Sequence, residues 1–153
     1  MASNAVKSLH ELAEAARHEL MQCQFALDDA AAPRERIFLD RLIDRFVRLP
    51  SPIRLWKLHR ARKHRAAARE LIARLHTKLH DTASLGRHNA DLWMTIMRGV
   101  DALSTSRWLN TDALGKADVA PARATVHIIL GDLSEVVGHL HELQWPGEAP
   151  SSS

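Results

Sequence analysis

At 153 residues with a formal net charge of +3, the chain is long enough for one core, and its single cysteine excludes an internal disulfide. Six Gly, six Pro, three Phe, four Trp and no Tyr leave it rich in helix formers and poor in strand formers. No stretch approaches the roughly 18 uncharged apolar residues of a spanning helix, and Lys7, Glu11, Glu14, Arg17 and Glu19 exclude a signal-peptide core. The expectation is a cytoplasmic, all-α protein: one helical bundle of four to five helices over 1–147 with a long basic central helix, then a disordered tail over 148–153.

Ser3 is placed to cap a first helix whose apolar positions Val6, Leu9, Ala13, Ala16, Leu20, Cys23 and Leu27 step by three and four, predicting a helix to about Asp28. Cys23 falls on that stripe and reads as a small core residue. His10, Glu14 and His18 share the outer face, but two residues eight apart are about 12 Å apart along the axis, too far for one metal ion. DDAAAP interrupts the pattern, and Pro33 opens a second helix over 33–49, with Phe38, Leu39, Leu42, Ile43, Phe46 and Val47 inward.

Ser51 and Pro52 then mark the start of a long helix reaching Asp81 or Thr82. Residues 53–80 hold nine of the 21 Lys and Arg against Glu70 alone, a formal +8, so the remaining 12 basic and 17 acidic residues amount to −5. The apolar stripe Leu58, Ala61, Ala68, Ile72, Leu75 and Leu79 is interrupted by Arg65. Arg54, Lys57, Arg60, Arg62, Lys63 and Arg65 spread around the whole circumference at 100° per residue. Unpaired buried charge is costly, so these first turns are expected at the surface. Arg54 and Lys57 also oppose the helix macrodipole, and local rules broken in one place tend to mark function.

Gly86 is suited to a left-handed residue after that helix. A fourth helix is predicted over 88–103, burying Leu92, Trp93, Ile96, Met97, Val100 and Leu103. The pattern weakens across 104–119, where Trp108 reads either as a cover over the core or as an exposed contact. The last helix, with Asp118 as a cap and opened by Pro121, carries the clearest register: Val126, Ile129, Leu133, Val136, Leu140 and Leu143. Trp145, Pro146 and Gly147 stop it.

Little in this chain points to catalysis. His76 and His80, four apart, offer two metal ligands, and Glu135 and His139 two more if the last helix lies alongside. Arg74-x5-His80 and Arg69-x6-His76 resemble the Arg-x4-6-His signature of HEPN-family ribonucleases, all-α bundles. That resemblance implies a His in acid–base cleavage of RNA and an Arg supporting phosphate charge. Six Arg and four His in one segment make such spacings nearly unavoidable. The favoured reading is therefore non-catalytic, with no cofactor or metal. Arg54, Lys57, Arg60, Arg62, Lys63, Arg65 and Arg69 contact the phosphate backbone of RNA or single-stranded DNA. Arg107 and Trp108 would extend the patch. The chain would then be an accessory subunit beside other protein subunits of a nucleoprotein assembly, away from membrane. Its rival is a helical adaptor, chaperone or immunity-type module that meets an acidic partner, with Leu55, Trp56 and Leu58 as hot spots.

Overall fold

A computed structural model describes residues 2–31, 52–87, 89–111 and 119–144. Two 30-residue helices come first, α1 (Ala2–Ala31) and α2 (Pro52–Asp81). A 3₁₀ turn (Ala83–Arg87) leads to α3 (Ala90–Ser104), the single-turn α4 (Arg107–Asn110) and α5 (Val119–Gln144). No strand occurs among the described residues. The expected second helix over 33–49, the Asp118 cap and the tail lie outside them.

Polar contacts fix the directions of the helices. Lys57 meets the backbone of Asp29, His64 meets Glu19 and Lys78 meets Ser8, so α2 runs antiparallel to α1. Arg123 bonds Asp28 and the His141 ring lies against that of His10, so α5 is antiparallel to α1 as well. α3 folds back along α2 and also packs against α5, placing His76 beside Asp101 and Val136 beside Gly99. Each long helix thus touches two neighbours, α1 and α3 filling one diagonal and α2 and α5 the other. Among the described residues, these four helices take the up-down arrangement of a helical bundle, and α2 is one of its corners.

The core follows the three-and-four stepping of the sequence. Every α1 position assigned to the apolar stripe, from Val6 to Leu27, is buried. Leu58, Ala61, Ala68, Ile72, Leu75 and Leu79 of α2 are buried, as are Val126, Ile129, Leu133, Val136 and Leu140 of α5. Each fully buried Leu or Ile stabilises by about 1.5–3 kcal/mol relative to exposure. Ala13 and Ala16 on α1 and Ala61 and Ala68 on α2 are buried small residues, which permit a short interaxial distance at the most extensive helix pair.

Two boundaries and the role of one glycine differ from expectation for local reasons. α1 continues past Asp28 to Ala31, because Ala30 and Ala26 remain core residues and Asp28 is engaged by Arg123 at 2.8 Å. α3 starts at Ala90, two residues late, because the Asn89 side chain accepts the Leu92 N–H at 3.3 Å and caps the helix there. Gly86 is required by crowding instead of by a left-handed backbone. A Cβ there would lie 2.6 Å from Cγ of the buried Trp93.

Candidate functional site

The cationic half of α2 divides into inward and outward groups. Lys57 and Arg65, expected at the surface, are buried at 6% and 3% exposure. Lys57 sends its ammonium to the Asp29 carbonyl at 3.4 Å, in the last turn of α1, where helical carbonyls lack intrahelical partners. There it also meets the negative end of the α1 macrodipole, a more favourable setting than the start of its own helix.

Arg65 lies with its guanidinium carbon 5.1 Å from the Trp108 ring centroid. Trp108 is partly buried against the core, so it acts as a cover. Arg65 thus packs like an apolar residue through its stem while its flat cation stacks on an aromatic face. Its positive charge also reaches Cys23, whose thiol is pushed up to about 12 by burial, with Arg65 pulling modestly the other way. Cys23 is therefore a protonated core residue, unsuited to nucleophilic chemistry.

The outward group begins one turn into α2. Trp56 is 57% exposed, and the Arg60 guanidinium lies 5.1 Å from its ring centroid. Lys63 follows one turn further on and is exposed. Spacings of four and three residues put Trp56, Arg60 and Lys63 in one line on the face turned away from the core. Among the described residues, neither Arg60 nor Lys63 forms an ion pair. His59 and Arg62 are exposed beside this line, with Arg62 and the half-buried Arg69 on the flank that leads toward α3. The Arg54 side chain lies outside the described residues. Leu55, next to Trp56, is 50% exposed, whereas Leu58 is buried. Arg107 is exposed on α4.

Of the two pairs that resemble an Arg/His ribonuclease signature, Arg69 and His76 are seven apart and share the flank toward α3, whereas Arg74 and His80 point to different faces. Arg74 is exposed and bound to Glu70 at 2.6 Å. His80 lies on the α3 flank with His76. His76 Nε2 is 2.5 Å from Asp101 Oδ1 and 3.2 Å from His80 Nε2. His139 instead faces Glu142 at 3.6 Å on its own helix, so the four-ligand set with Glu135 and His139 is replaced by a three-residue one. Asp101 is the residue sequence reasoning missed. Folding the α2–α3 hairpin about the Ala83–Arg87 turn would have set it opposite His76.

Among the described residues no helix is long and apolar enough to cross a membrane. No known protein-family profile matches the chain, and comparison with curated proteins and with solved structures returns no match.

Proposed function

We propose that the protein is a non-catalytic helical module that binds single-stranded nucleic acid along the outer face of α2. The observation that carries this reading is the line Trp56, Arg60, Lys63, an exposed indole followed by a half-buried cation stacked on it and an exposed one. An aromatic face accepts any base by stacking, and cations at helical spacing track phosphates without reading sequence. Arg62 adds charge on the flank. The binding set is smaller than the sequence implied, since Lys57 and Arg65 point inward. A role beside other subunits of a nucleoprotein assembly suits so short a contact line, which would have modest affinity alone.

Fluorescence anisotropy with labelled single- and double-stranded oligonucleotides over a salt series tests it. Three outward cations give a log–log slope of about −2 for a single strand. Preference for the single strand with that slope supports the reading, and no binding at low salt removes it.

A second reading is favoured by Leu55, 50% exposed beside Trp56 at 57%. An apolar pair rimmed by cations is the expected hot spot of a module that docks an acidic protein partner. Under that reading the oligonucleotides do not bind, and Leu55→Ala and Trp56→Ala weaken partner binding more than loss of any one cation.

A further inference from the structure

We infer that His76, His80 and Asp101 form a binding site for one divalent transition-metal ion of the zinc class, bridging α2 and α3. Two imidazole nitrogens and one carboxylate oxygen converge here, with separations of 2.5 Å (His76 Nε2 to Asp101 Oδ1), 3.2 Å (His76 Nε2 to His80 Nε2) and 3.7 Å (His80 Nε2 to Asp101 Oδ1). All three ligand atoms lie within 4.8 Å of one another. A tetrahedral ion with bonds of roughly 2.0–2.1 Å holds its ligand atoms about 3.3 Å apart. Each side of the triangle reaches that length by a shift of less than about 1 Å, well within the rotamer play of exposed side chains.

The backbone supports this geometry. His76 and His80 are one helical turn apart on one face, with ring centroids 4.5 Å apart in an edge-on arrangement. Asp101 comes from the last turn of the antiparallel α3, so the ligands arise from two rigid helices and no loop has to be ordered. Hydrogen bonding alone leaves the cluster awkward, because a single Nε2 proton on His76 cannot serve both the Asp101 oxygen and the His80 nitrogen. One cation at the centre would be met by all three lone pairs. Imidazole with one carboxylate selects zinc, cobalt or nickel over magnesium or calcium. The side chains are 33%, 52% and 51% exposed for His76, His80 and Asp101, so a fourth position opens to water.

The test is titration of the full-length, chelator-stripped and tag-free chain with Zn²⁺ against a chromophoric competitor. Co²⁺ absorption in the visible range reports the coordination geometry. One ion per chain is expected, weakened by on the order of tenfold or more in each of His80→Ala and Asp101→Asn, together with a rise in Tm of the unsubstituted chain on metal addition. His80→Ala removes an exposed side chain and leaves the core intact, so its loss of binding is not a folding defect. Absence of saturable binding, or binding unchanged in both variants, would overturn the assignment.

Discussion

The Arg65 guanidinium sits over the Trp108 indole, its carbon 5.1 Å from the ring centroid, at a position where only 3% of Arg65 is exposed. This pairing lets a cation occupy the apolar stripe of α2, and it ties the single turn α4 to the bundle. Trp108→Ala should therefore lower stability by about 2–4 kcal/mol, through lost burial and a lost cation–π contact. Trp108→Phe keeps an aromatic face and should cost less. Urea unfolding followed by far-UV circular dichroism reads both.

Gly86 approaches the root of the Trp93 side chain too closely to carry a Cβ. Trp93 is buried and cannot swing away, so Gly86→Ala should displace the turn or the indole and cost about 1–3 kcal/mol. Gly99→Ala is the comparison, because its Cβ would meet only Cγ2 of Val136, at 2.9 Å. The contact there is with a single atom and less close, and the better helix propensity of Ala offsets part of the cost, so that change should be the milder of the two. A thermal melt of each variant settles the order.

Burial raises the Cys23 thiol to about 12, and this has a definite sign. The unfolded chain releases that proton at an ordinary cysteine value of about 8.5. The stabilising contribution is therefore complete below that value and declines as pH rises from there toward 12. The native protein should resist thiol-specific alkylation at pH 8 and react rapidly once unfolded in urea. Cys23→Ser should abolish labelling and destabilise the fold by placing a hydroxyl in an apolar seam.

Periodicity carried the bundle. The α1 stripe and the α5 register were legible because each apolar residue recurs at the helical step and no charge intrudes. The α2 start was legible because Ser51 and Pro52 are strong helix-initiation signals. The cations were less so, since a side chain's direction depends on partners distant in sequence. Lys57 turns inward because α1 ends beside it with open carbonyls, and Arg65 because Trp108 lies 43 positions on (108 − 65) with a flat face to cover. Neither partner is visible from local spacing. Asp101 was missed for the same reason, since its closeness to His76 exists only once the hairpin is folded.

The most direct test compares oligonucleotide binding by two sets of variants. Arg60→Glu, Arg62→Glu and Lys63→Glu combined reverse the outward charges, while Arg65→Met replaces the inward cation with a side chain of similar volume. Met fills the seam that the Arg65 stem occupies, and far-UV circular dichroism checks that both variants keep their helicity. The account predicts that the triple variant no longer binds single-stranded nucleic acid at low salt and that Arg65→Met binds like the unsubstituted chain. Full binding by the triple variant, or its loss on Arg65→Met, would contradict it.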